Sequence, residues 1–236
     1  MAQEIHAVFD NMNTPHLGHT DRGIIPKIIT NVDGLYEGDL RHYFKVLFEK
    51  ARNLRNPYHN FRHIFYVFCC CFEACQYYQS RPEKLSARRV RNLLIAAMFH
   101  DFDHSGVVGH DDLEIERAIR GLRKHVLPED KHHLVDIEKL IRDTQFPYAV
   151  SSSELDLSGQ ILRDADLSQA LGGVWMQQIL FGLGDEMNMT PTAMLETQTG
   201  FLRRLAFSTA WAEEKFPKDH IDRKIEEVHG LLSILE

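Results

Sequence analysis

His59 and His63 stand four apart in the stretch NPYHNFRHIFYVF (56–68). His100 and Asp101 follow the apolar run LLIAAMF, Asp103 and His104 come directly after, and Asp164 and Asp166 sit in ILRDADLS. Imidazoles and carboxylates are scarce in apolar stretches, because burying an unpaired ion costs several kcal/mol. Ions so placed are normally matched by partners or by a metal. Nitrogen and oxygen donors in this mixture suit divalent Zn, Fe, Mn or Mg. On a helix the i, i+4 spacing puts the His59 and His63 rings on one face, and His104 falls one turn after His100. Taken singly, each group has an ordinary explanation: a satisfied histidine pair, a helix-terminal His-Asp, a capping aspartate. Their coincidence in one chain is what points to a metal centre.

The elements that must carry these residues read as helices. The segment 35–54 places Leu40, Phe44, Leu47 and Phe48 on one face. Asn56-Pro57 breaks the chain, and Pro57 suits the first turn of a new helix that carries His59 and His63 and runs to about Tyr78. SRPEKL (80–85) is a linker. The next helix begins with the basic run RRVR (88–91), expected at an exposed helix start, and its dense apolar centre predicts burial on all sides. Helical periodicity resumes at 111–127, ended by Pro128, and at 129–146, stopped by Pro147. A polar loop and a helix fill 151–172, and Trp175 to Leu183 forms another helix. A long helix is expected over 190–216, with Thr190 as its cap before Pro191, and a last one closes the chain. Residues 1–35 read as an irregular lead-in with one short helix. No strand alternation or repeat is visible. The expectation is an all-α, compact multi-helix bundle forming a single domain over 1–236, with roughly eight to ten helices of ordinary length.

Composition sets bounds on function. With 236 residues, 44% hydrophobic and 26% charged, the chain can bury a core without staples. A net charge of −7 argues against a nucleic-acid or membrane-surface binder. The four cysteines, Cys69, Cys70, Cys71 and Cys75, lie in an apolar run and read as small buried hydrophobes. No secretory signal and no apolar run of membrane-spanning length is visible, so a cytoplasmic protein is expected.

The His-Asp pair after an apolar helix, with a histidine upstream and an aspartate in ADLS downstream, resembles the HD-domain superfamily of metal-dependent phosphohydrolases. The likeness then sharpens. PYHNFRHIFYVF resembles the Tyr-His-Asn-x-x-His signature of class I cyclic-nucleotide phosphodiesterases. HDFDHSG (100–106) is similar to their His-Asp-x-Asp-His-Pro-Gly, ADLS (165–168) to their later metal-binding segment, and ETQTGFLRRLAFSTAW (196–211) to their Gln-x-Gly-Phe segment, which binds the base.

This resemblance implies hydrolysis of cyclic AMP or cyclic GMP to the 5′-monophosphate by a hydroxide bridging two divalent ions. The first ion is expected to be Zn²⁺ or Fe/Mn, held by His63, His100, Asp101 and Asp166, with Asp166 fitting the motif better than Asp164. The second is expected to be Mg²⁺ or Mn²⁺, reached by the other oxygen of Asp101, with His104 near it through water. His59 is implied as the general acid, with a glutamate such as Glu116 behind it. Tyr58 is implied at the phosphate end. Gln198 and Phe201, three apart on a helix, are implied to pair with and stack on a purine. The partner expected is a small-molecule cyclic nucleotide, with no nucleic acid and no membrane. Ser105 stands where the family has proline, and Gln169-Ala170 where it has Asn-Pro. The first change is expected to loosen water near the second ion, the second to alter base selectivity. Three rivals remain: another HD phosphohydrolase such as a nucleotidase, which Gln198 and Phe201 argue against; a non-catalytic nucleotide-binding relative, which the full ligand set argues against; and an HD oxygenase with a mixed-valent di-iron centre, which the small number of histidine ligands argues against.

Overall fold

Two helices carry the chemistry-bearing motifs, and both owe their position to apolar residues on every side. In the computed structural model, which describes residues 24–107 and 109–235, they are α3 (Phe61–Tyr78) and α4 (Ala87–Phe99). From His63 to Cys75 every residue of α3 is buried, as is every residue of α4 from Val90 to Phe99. A helix with no polar face must be enclosed by others. The pair therefore packs against itself and is enclosed by α6 (Leu134–Arg142) and α7 (Leu157–Leu167), which lie against α4, with α7 also on α3. Before them come α1 (Ile24–Ile29) and α2 (Arg41–Lys50); α5 (Asp111–His125) packs on α6.

A second apolar cluster forms around Trp175, Ile179, Leu180, Leu195 and Val228. It joins a π-helix (Met176–Leu183), which tightens into an α-turn at Gly184–Glu186, to α8 (Pro191–Arg204) and α10 (Lys218–Leu235). The short α9 (Ala210–Lys215) packs back on α3. Among the described residues there is no strand, so the fold is all-α, and no helix is long and apolar enough to cross a membrane. All four cysteines are buried and free.

Several boundaries differ from those the sequence predicts, each for a local reason. The helix expected over 35–54 is only α2, because Gly38 sits at φ +65° and Asn31 donates to the Gly38 carbonyl. The expected helix from Pro57 starts instead at Phe61. Asn60 is extended (φ −120°, ψ −174°), and its side chain accepts from the N–H groups of Arg62 and His63 as an N-cap. His59 thus lies in the turn ahead of the helix and does not share a helical face with His63. The helix expected over 190–216 breaks into α8 and α9. Between them Asp164, 1% exposed, accepts from the N–H groups of Ser208 and Thr209 and from the Thr209 hydroxyl, and Thr209 caps α9. The early part of the expected lead-in, through Gly23, lies outside the described residues; Ile24 to Ile29 is helical.

The basic run 88–91 is a solvated helix start only in part: Arg89 is exposed, Arg88 is half-buried and Arg91 is buried. Arg91 is 3% exposed and grips the fully buried Asp130, Nε to Oδ1 at 2.8 Å and a terminal nitrogen to Oδ2 at 2.7 Å. Tyr43 donates to Oδ2 (2.6 Å) and Arg88 to Oδ1 (2.6 Å), so every lone pair of the carboxylate is served. Removing one partner of a buried pair strands the other charge. Arg91→Met is therefore expected to lower the unfolding free energy by about 3–5 kcal/mol, measured by urea denaturation. A loss below about 1 kcal/mol, the range of a solvated surface pair, would contradict this account.

Candidate active site

The C-terminal end of α4, the first turn of α3 and the end of α7 meet at one point. There the structure brings together His63, His100, Asp101 and Asp166. His63 Nε2 lies 3.1 Å from Asp101 Oδ2, 3.1 Å from Asp166 Oδ1 and 3.2 Å from His100 Nε2. His100 Nε2 is 3.3 Å from Asp101 Oδ2 and 3.9 Å from Asp166 Oδ1.

The tautomers show what this arrangement lacks. His100 Nδ1 meets the Ala97 carbonyl at 2.8 Å, and a carbonyl only accepts, so Nδ1 carries the proton. His63 Nδ1 meets Gln169 Oε1 at 2.5 Å and donates in the same way. In their neutral forms both Nε2 atoms then present bare lone pairs to each other and to two carboxylate oxygens. Asp101 Oδ2 is buried and accepts no hydrogen bond, although two nitrogens lie within 3.3 Å of it. Convergent lone pairs around an orphaned buried carboxylate oxygen fit a divalent cation, and the donor set of two imidazoles and two carboxylates suits one.

The titration behaviour has the same origin. Burial alone would lower His63, but the carboxylates of Asp101 and Asp166, which would accept from the protonated ring, push it up to about 10. Burial would raise Asp101, yet the charges of His100 and His59 hold it well below the usual carboxylate range. The site demands positive charge, and a proton on imidazole supplies it where no cation does.

A second group adjoins the first and shares Asp101. Ligand atoms of His59, Asp101 and His104 come within 4.8 Å of one another. The rings of His59 and His104 stack with centroids 3.7 Å apart. Gly106 N–H donates to His104 Nδ1 (3.0 Å), and burial lowers the pKa of that ring. Asp101 thus belongs to both sets.

The carboxylate behind His59 is Glu186, not Glu116. Glu116 pairs with Arg142 on an exposed face (2.6 Å). Glu186 Oε2 meets His59 Nδ1 at 2.5 Å, while Oε1 accepts from the backbone N–H groups of Tyr58 (2.8 Å) and His59 (3.0 Å). Burial would raise Glu186, and the His59 interaction outweighs it, so the carboxyl stays below its ordinary value. The π-helix delivers this residue. Its Gly182 runs so close to the turn that a Cβ there would fall 2.6 Å from the Pro57 carbonyl, so only glycine fits. Tyr58 packs its ring 4.7 Å from both His59 and His63.

Gln198 and Phe201 lie on α8, and Phe201 packs against the cluster that also includes Tyr58. Gln198 is 5% exposed, and its amide nitrogen points at the Met194 thioether (3.8 Å), a weak acceptor that leaves most of the amide's hydrogen-bonding capacity unspent. Phe201 is half-buried. Gln169, expected from the family pattern to alter base selectivity, instead orients the His63 ring, at 1% exposure. Asp164 is spent on the 208–209 loop, while Asp166 faces the centre. Ser105, standing at the family's proline, donates through its N–H and hydroxyl to Glu114 (2.9 and 2.7 Å), which pins the turn. Access is from the Asp166 and His59 side: their side chains are 24% and 19% exposed, against 1% for His63 and His100.

A buried centre of this composition, in an all-helical frame, has the donor set that could hold a divalent metal ion. The family model described as 3'5'-cyclic nucleotide phosphodiesterase matches residues 58–152. Over this stretch the likeness to class I cyclic-nucleotide phosphodiesterase catalytic domains holds, and it supports a phosphodiesterase-type hydrolase. The match includes Tyr58, His59, His63, His100, Asp101 and His104 and ends before Asp166, Glu186, Gln198 and Phe201. No curated protein matches the chain.

Because a proton on His63 and a cation compete for one place, metal binding must release protons. Titrating Zn²⁺ or Mn²⁺ into chelator-treated protein is expected to give heats that depend on the buffer's ionisation enthalpy, with affinity falling as pH falls. Buffer-independent heats and a pH-independent affinity would count against a cation at this point.

Proposed function

We propose that this protein hydrolyses 3′,5′-cyclic nucleotides, cyclic AMP or cyclic GMP, to 5′-nucleoside monophosphates, and that the chain acts as a single catalytic domain on a small molecule inside the cell. The observation that carries the reading is the meeting of His63, His100, Asp101 and Asp166 beside a histidine backed by a carboxylate. His63, His100, Asp101 and Asp166 would hold the first divalent ion, Zn²⁺ or Fe/Mn, and Asp101 would also reach a second, Mg²⁺ or Mn²⁺. Bound there, such ions supply Lewis acidity to the phosphoryl oxygens and acidify a coordinated water.

The protein's own groups do the rest. Glu186 accepts from His59 Nδ1–H, and in the doubly protonated ring Nε2–H would be the proton that passes to the leaving 3′-oxygen as its bond to phosphorus breaks; the water whose oxygen is added to phosphorus gives up a proton in exchange, so the ring can be recharged. His104 stacks on His59 and keeps that ring from turning. Tyr58 walls the phosphate end between the two histidines. Gln198 offers its amide to the purine edge and Phe201 its ring face to the base.

The test is a substrate panel: cyclic AMP, cyclic GMP, nucleoside monophosphates and a base-free phosphodiester such as bis(4-nitrophenyl) phosphate. Wild type is expected to prefer a cyclic nucleotide, and Asp101→Ala to lose turnover on every substrate together with its metal. Gln198→Ala is expected to raise KM for the cyclic nucleotide about tenfold, the worth of one good hydrogen bond to the base, and to leave the base-free ester unchanged. Preference for monophosphates would give the nucleotidase reading instead. An equal loss on the base-free ester would remove Gln198 from the base site.

A further inference from the structure

We infer that Asn53, which lies outside every motif, is the positioning residue that sets the proton donor against the metal centre; this rests on the phosphodiesterase reading above. Asn53 is 1% exposed. Its amide nitrogen donates to two backbone carbonyls, His59 at 2.8 Å and Asp101 at 2.7 Å. Its amide oxygen accepts from the Asp103 N–H at 3.1 Å. Three of the four hydrogen bonds that one small side chain can make are thus directed at the backbone of the two segments that bring the general acid and the shared carboxylate.

These segments come from different parts of the chain. His59 sits in the turn before α3, and Asp101 to Asp103 form the turn after α4. No backbone hydrogen bond between the described residues joins the two turns. A single nitrogen bound to both carbonyls fixes their separation. The neighbouring peptide strengthens the seam: Arg52 N–H donates to Asp103 Oδ1 (2.8 Å), and Asp103 is held at φ +63°, in the left-handed region. One step further along, Asn56 donates to the His104 carbonyl (2.9 Å). Because that second tie survives the loss of Asn53, its removal loosens the alignment and leaves the helices in place.

All three hydrogen bonds of the Asn53 side chain go to backbone atoms of the site itself. Deleting that side chain removes the donor from two part-buried carbonyls, and the His59 and Asp101 segments relax apart to find other donors. Outer groups that orient metal ligands are worth about 10- to 100-fold in metal affinity or activity when removed, and a displacement near 1 Å costs on a similar scale.

The experiment compares wild type, Asn53→Ala and Asn53→Asp. The aspartate keeps the size and the acceptor and removes both donors. Ile137→Val, in the fully buried core of α6 away from the site, serves as a stability control. Metal affinity is measured on chelator-treated protein by competition with a chromogenic chelator, kcat and KM with cyclic AMP and cyclic GMP, and unfolding midpoints in urea. Both Asn53 variants are expected to bind Zn²⁺ or Mn²⁺ about 10-fold more weakly and, at saturating metal, to show kcat reduced at least about 10-fold with KM within about 2- to 3-fold. Ile137→Val should lower the midpoint and leave metal affinity and kcat unchanged. Folded Asn53 variants with wild-type metal affinity and kcat overturn the proposal, as does failure of both to fold, which would make Asn53 a folding residue. If wild type turns over no cyclic nucleotide, the function assigned above fails while the metal affinities still decide the role of Asn53.

Discussion

The structure is organised around a concentration of lone pairs in a place that cannot tolerate them. Two imidazole Nε2 atoms and two carboxylate oxygens lie mostly within about 3.3 Å of one another at the end of a helix pair that is otherwise apolar. In a low-dielectric interior such an arrangement is costly unless positive charge occupies its centre. Everything nearby serves to hold it. Ala97 and Gln169 fix the ring tautomers, the apolar faces of α3 and α4 keep solvent from the back, and the turn carrying His59 is tied down on both sides.

The fold gives these groups a rigid setting and places the mobile chemistry at its edge. His63 and His100 sit on or directly after long buried helices, where side chains are locked by packing. His59 and Asp166 stand at the solvent side. The second apolar cluster includes Tyr58, whose ring packs against His59 and His63, and the short α-turn that follows the π-helix brings Glu186 to His59. Glu186 reaches His59 because the π-helix, with a glycine against Pro57, brings its last turn closer than a residue with a Cβ would permit. Irregular helical geometry next to a reactive histidine is a recurrent use of π-turns.

Much of this was legible in the sequence, and the limits have physical causes. The burial of α4 followed from its dense apolar centre, and the metal-capable residues from their chemistry in apolar surroundings. Motif order singled out Asp166 over Asp164, and the two aspartates do face different partners. What could not be read was set by tertiary contact. Glu186 lies 127 positions from His59, and no local spacing announces it. Gln169 looks like a change near the base when judged by its motif, yet it orients His63. The Asn60 cap moved His59 off the helix, because a side-chain acceptor for two N–H groups outweighed the start signal of Pro57. Arg91 looked solvated because Asp130, its partner, is remote in sequence.

The central claim is that the two histidines and two carboxylates share one cation. X-ray absorption fine structure of the zinc-loaded protein tests it most directly. Two imidazole rings among the ligands, with Zn–N near 2.0–2.1 Å and the outer-shell scattering of histidine, are predicted, and that signal should vanish when His63 and His100 are replaced together. A shell of oxygen alone, or an unchanged spectrum in the double variant, would contradict it.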